Sequence, residues 1–237
     1  SPTTYNFLYN TMLFLSSMHF NIDHHYKFPV YFHMYISKLN LKPISEAEVI
    51  SIFLQGELKS KRFSKDIENA VKKLNTTISI IQKPNITNSE ENKLRLDILN
   101  ETRGYTSRKE LFEGFPKDIE WYRTEVSKEF LLNDIMYINY DYWIELTSGS
   151  RFPKDAVRKI KKDEKVFNVS YDNILQASEY FKENKSFDEI ILVSDRKKCV
   201  VLEGHLRLTV YALNMDILPD RLSVIIGFSD RDRKSVV

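Results

Sequence analysis

CVVLEGHLRLTVYAL, residues 199–213, is the stretch from which the rest of the chain is read. Residues 199–202 are apolar and rich in valine, as a buried strand is, and Leu206, Leu208, Val210, Tyr211 and Leu213 give an apolar face to a helix that follows. Between strand and helix stand Glu203, Gly204, His205 and Arg207. A glycine at such a corner lets backbone come close to a ligand, and the N–H groups of a helix's first turn, reinforced by its dipole, attract an anion. The pattern therefore predicts a strand, a tight turn and a helix with a corner suited to phosphate. The same residues also allow a plainer reading, an ordinary corner in which His205 caps the helix and Arg207 is paired on the surface.

Working outward, Ile190, Ile191, Leu192 and Val193 predict a strand that turns through residues 194–198 into the one before the motif. Residues 171–185 predict a helix with Ile174, Leu175, Ala177, Ser178 and Phe181 along its apolar stripe, and Pro153 opens a shorter one over residues 153–161. Met136, Tyr137 and Ile138, following Ile135, read as an earlier strand, and residues 140–151, YDYWIELTSGSR, as the connection after it. Residues 223–227 make one more strand.

That order, with Glu-Gly-His-x-Arg at its turn, resembles the ParB/sulfiredoxin superfamily. Sulfiredoxins carry Gly-Cys-His-Arg at this place, free-serine kinases Asp-Gly-His-His-Arg, and ParB partition proteins Gly-x-x-Arg; all three bind a nucleoside triphosphate there. The resemblance implies an α+β fold: a small mixed sheet with helices over residues 126–237, preceded by a mainly helical region over residues 1–125. It implies that Gly204, His205, Arg207 and Thr209 bind the nucleotide. Ser150 and Arg151 would join them, since Ser148-Gly149-Ser150-Arg151 stands where the family has an Asn-Pro-Arg-like element. Arg151 equally suits a pair with Asp155, four residues on. Glu203 and His205 would be the catalytic residues of a phosphotransferase or nucleotide hydrolase, with Glu203 as general base or as ligand to Mg²⁺, and the cofactor would be a nucleoside triphosphate with Mg²⁺. The alternative is a non-catalytic sensing or interaction module that contacts protein or nucleic acid through the N-terminal helices.

Departures from the family narrow these expectations. No cysteine stands at the turn, and Cys199 falls on the incoming strand as a buried residue, so repair of cysteine sulfinic acid is not expected. No helix-turn-helix domain follows the motif and nothing before residue 110 marks a recognition helix, so centromere-type DNA binding is not expected either.

Composition bounds the rest. With 42% hydrophobic and 13% aromatic residues the chain is that of a folded protein. Lys plus Arg, 35, nearly balance Asp plus Glu, 33, so no polyanionic partner is demanded, and any duplex DNA affinity is expected to be weak, non-specific and salt-dependent. One cysteine excludes an internal disulfide and no secretory leader opens the sequence, so a cytoplasmic location is expected. Residues 5–20 are apolar but interrupted by Asn10, Thr11, Ser16, Ser17 and His19, and read as a packed helix rather than a membrane span. His19, Asp23, His24, His25 and His33 crowd the same region without the spacing that places metal ligands on one face.

Ser45-Glu46-Ala47-Glu48 is a capping box that predicts a helix with Ile50, Phe53 and Leu54 inward and Gly56 at its end. A second helix runs from Ser64, with Ile67, Ala70, Val71 and Leu74 at helical spacing, and a third covers residues 90–100 with Leu94, Ile98 and Leu99 inward. Glu113-Gly114-Phe115-Pro116 reads as a turn, residues 118–123 as a short helical pattern carrying Trp121, and Ser127 as the cap of a further turn. A boundary between the two halves is placed within residues 110–132.

Overall fold

The computed structural model describes residues 35–185 and 188–229. The helix read at residues 5–20 and the group His19, Asp23, His24, His25 and His33 lie outside them. The chain is of α+β type. Its strands are β1 Lys42–Pro43, β2 Ile119–Ser127, β3 Ile135–Met136, β4 Ile191–Ser194, β5 Cys199–Glu203 and β6 Arg221–Ser229. The helices are α1 Glu46–Lys59, α2 Ser64–Lys73, α3 Ser79–Gln82, α4 Ser89–Arg103, α5 Lys128–Asn133, α6 Asp141–Leu146, α7 Pro153–Lys161, α8 Asp172–Asn184 and α9 His205–Leu213. Two compact units emerge, one holding Glu57–Phe115 and the other holding residues 35–56 and 116–229 among those described.

In the first unit the apolar stripe of α2 buries Ile67, Ala70 and Val71, and α4 buries Ile98 and Leu99, as their spacing predicts. Asn88 caps α4 by accepting from the N–H groups of Glu90 and Glu91 at 3.0 and 3.2 Å, and Gly104 ends it at φ +70°. Arg95, on α4, is fully buried. Its guanidinium donates to the carbonyls of Ile80 and Asn85 and reaches Glu91 and Asn92, so its charge ties α3 and the following loop to α4.

The second unit is built on the six-stranded mixed sheet, in the order β1-β2-β6-β4-β5-β3. β2 and β6 pair antiparallel from Ile119↔Ser229 to Ser127↔Arg221, β4 runs parallel to β6, β4 and β5 form an antiparallel hairpin, and β3 lies parallel to β5. The helical pattern read at residues 118–123 is therefore corrected to a strand. A six-residue window admits either period, and nine consecutive pairings with β6 decide between them. The sheet thus draws β1 and most of β2 from before residue 126.

Ser127 caps α5, accepting from the N–H of Phe130 at 3.2 Å, and Ser45 accepts from the N–H of Glu48 at 3.2 Å at the start of α1. Gly56, expected to end α1, lies inside it, and the helix continues to Lys59. Residues 140–151, read as a loop, contain α6. Tyr137, Leu192, Val201, Leu208 and Ile226 belong to one buried core, so the sheet and α9 share a single apolar interior.

Candidate functional site

β5 ends at Glu203 and α9 begins at His205. Gly204 between them has φ +97°, in the left-handed region, and a Cβ there would stand 2.7 Å from Cγ2 of Ile190. Both the dihedral and the space therefore require glycine. The N-cap residue of α9 is Gly204, which has no side chain to cap it, and the helix's first intrahelical bond runs from the N–H of Leu208 to the carbonyl of Gly204 at 2.8 Å.

On one flank of this corner Glu203 and Arg207 form an ion pair one turn apart, with side chains 11% and 25% exposed. Arg207 Nη1 also donates to the carbonyl of Glu189 at 2.8 Å. Gly56 explains itself here, because a Cβ on it would fall 2.8 Å from Oε1 and 3.2 Å from Oε2 of Glu203. A glycine inside a helix costs about 1 kcal/mol against alanine, and at Gly56 that cost admits the carboxylate. The Glu189 carboxylate accepts from Arg123 Nε and Nη2 at 2.7 and 3.1 Å and from the Ser223 hydroxyl, and Arg123 Nη1 donates to Glu48 at 2.9 Å. Hydrogen bonds to Glu189 first, and to Glu48 after it, hold Arg123 more firmly protonated than a free arginine. Helix α1 is thus fastened to this flank at both Glu48 and Gly56.

The other flank is aromatic. His205 stacks near Trp143, with ring centroids 5.4 Å apart and planes at 24°, and near Tyr137 at 6.3 Å and 17°. Tyr137 and Trp143 stack at 4.3 Å and 12°. Tyr137, fully buried, is the hub. Its N–H donates to the carbonyl of Arg151, and Arg151 Nε donates back to the carbonyl of Tyr137, each at 2.8 Å. Thr209 Oγ1 donates to the carbonyl of His205 at 2.9 Å, which leaves the Tyr137 hydroxyl as donor to Thr209 at 2.7 Å. Burial pushes the Tyr137 phenol well above its ordinary value, so it stays a donor. Arg151 sits at φ +62°, rare for a side chain of its size, and that backbone is held by the bonds to Tyr137 and by its N–H to Thr147 Oγ1 at 2.8 Å.

The expected site residues therefore separate. His205 and Arg151 are brought together around Tyr137, whereas Gly204 lies against Ile190 and Arg207, and Glu203 and Arg207 engage each other under α1. Thr209, expected against the nucleotide, is fully buried and supports the corner from below. The Ser150 hydroxyl donates to the Asp155 carboxylate, lies 3.1 Å from the carbonyl of Thr147 and accepts from the N–H of Phe152 at 3.2 Å, at the start of α7. Asp155 receives Ser150 and Arg158, while Arg151 Nε goes to Tyr137. Cys199 is fully buried and its thiol is pushed up by that burial. Sequence reasoning missed Tyr137, Trp143 and Gly56 as parts of this site; apolar and small residues carry no local mark of what they will touch.

Among the described residues no group of three or more His, Cys, Asp or Glu side chains stands where it could hold a metal, and no helix is long and apolar enough to cross a membrane. A surface hollow lined by Pro43, Glu46, Asp118 and Tyr122 lies by β1 and β2, at the opposite edge of the sheet from β5 and β3. Compared with protein-family models, with curated proteins and with solved structures, the chain finds no match.

Proposed function

We propose that the corner between β5 and α9 binds a nucleoside triphosphate in a ParB/sulfiredoxin-like domain, with phosphates at the first turn of α9 and beside Arg151, and that it binds without turning the nucleotide over. One observation carries the reading: Arg151 and the first turn of α9, remote in sequence, are tied to the same buried residue, Tyr137. A helix N-terminus and a guanidinium are the two protein groups best suited to phosphate oxygens, and a fixed scaffold between them lowers the cost of ordering them on binding. The order β3, Arg151, α7, β4–β5 hairpin, α9 supports the family resemblance.

Binding without turnover is favoured by Glu203. A general base or a magnesium ligand needs a carboxylate lone pair facing the nucleotide. The Glu203 carboxylate instead faces Arg207 and is packed under Gly56, so no step is assigned to it. Thermal unfolding with each common nucleoside triphosphate, with and without Mg²⁺, tests the reading. A triphosphate at a hundred times its dissociation constant adds about 2.7 kcal/mol of stability. No shift with any triphosphate refutes the proposal, and phosphate release in the same samples refutes binding without turnover.

A further inference from the structure

Trp143 is half-buried and belongs to the margin of the core, yet it lies against the residue that opens α9. The planes of Tyr137, Trp143 and His205 lie within 24° of one another, an alignment that a further flat ring could join. Tyr137 and His205 are 6.3 Å apart, less than the 4.3 and 5.4 Å from Trp143 to each of them would give if Trp143 lay between. The indole is therefore not sandwiched by these two rings, and Tyr142 meets it nearly perpendicular, with centroids 5.1 Å apart and planes at 79°.

A second observation joins this ring to the phosphate side. Thr147 Oγ1 donates to the carbonyl of Trp143 at 2.7 Å and accepts from the N–H of Arg151 at 2.8 Å. Trp143 and Arg151 thus ride on one short hydrogen-bonded piece of chain, which fixes an aromatic ring relative to a guanidinium before any ligand arrives. We propose that Trp143 is the stacking face for a nucleobase, so that the site takes nucleotides and discriminates against bare polyphosphate. A nucleotide joins a π face to a polyanion through one sugar, and the ring beside His205 next to the first turn of α9 repeats that arrangement. The inference rests on the phosphate reading above and adds the base to it.

Titration calorimetry with the full chain compares nucleoside triphosphates with inorganic tripolyphosphate. A nucleoside triphosphate binds roughly tenfold more tightly or better, the range that base–aromatic stacking supplies. Trp143→Phe keeps that ratio because it keeps a ring, and Trp143→Leu brings it close to one. Fluorescence gives a reading that needs no variant. The chain has two tryptophans, and Trp121 is buried in β2, so nucleotide but not tripolyphosphate quenches the Trp143 emission. Should Trp143→Leu fail to fold, the contrast in quenching in the unmodified chain decides. Tripolyphosphate binding as tightly as the nucleotides, or an undiminished preference in folded Trp143→Leu, overturns the stacking role and leaves the phosphate site standing. Absence of binding by both ligands overturns the two together.

Discussion

On one side of Gly204 an arginine and a carboxylate satisfy each other beneath a helix; on the other an arginine is held by a backbone carbonyl beside three stacked rings. Both flanks use a guanidinium fixed at short range, and they differ in what fixes it. Arg207 shares its charge with the Glu203 carboxylate, and Arg151 Nε donates to the backbone carbonyl of Tyr137. The Arg207 flank braces α1 against the corner, and the Arg151 flank ties the start of α7 to Tyr137.

The comparison breaks most severely at Tyr137. Truncation of this fully buried ring by Tyr137→Ala removes its stacking on Trp143 and His205 and its hydrogen bond to Thr209, while the backbone bonds to Arg151 remain, and is expected to cost about 3–5 kcal/mol, measured by denaturant unfolding. A loss below about 1 kcal/mol, the scale of one ordinary hydrogen bond, would show that Tyr137 is not the hub.

A smaller effect separates the flanks themselves. Glu203→Gln leaves Arg207 with a neutral partner, and because Arg207 is 25% exposed the stability loss is expected at about 1–2 kcal/mol rather than the cost of a wholly buried pair. Affinity for a triphosphate should rise in the same variant, since a negative charge beside a polyanion is gone. Weaker binding on calorimetry would mean that Glu203 helps hold the ligand, and would reopen a metal-binding role for it.

The smallest effect is the most specific. Helix propensity alone makes Gly56→Ala stabilising by about 1 kcal/mol, but the new methyl would meet the Glu203 carboxylate at 2.8 Å. The substitution is therefore expected to be neutral or destabilising in the natural chain and to recover that stabilisation of about 1 kcal/mol in a Glu203→Ala background. Simple additivity of the two changes would show that α1 does not close on the motif.

Much of the scaffold was legible locally. The Ser45 and Ser127 caps, the stripe of α2, the proline opening α7 and the turn at Gly204 all depend on residues a few positions apart, so spacing alone exposes them. Residues 118–123 misled for the same reason in reverse, because their local pattern suits a helix and only their pairing with β6 makes them a strand. The candidate site was legible in part: Glu203, Gly204, His205 and Arg207 do stand at one strand-to-helix corner, but the pairing of Arg207 with Glu203 and the bonds from Arg151 to Tyr137 were hidden.

By itself, then, the sequence determined where chain direction changes and which faces are apolar, since dihedral preference and hydrophobic period act between near neighbours. It also placed glutamate, histidine and arginine at one corner. Only the tertiary structure decided what each of them faces. Gly56 meets Glu203 across a distance in sequence that no periodicity spans, Tyr137 links Arg151 to Thr209, and Trp143 lies beside His205. Those contacts are set by how the sheet and its helices close on a shared core, and a side chain's chemistry is completed by its neighbour there.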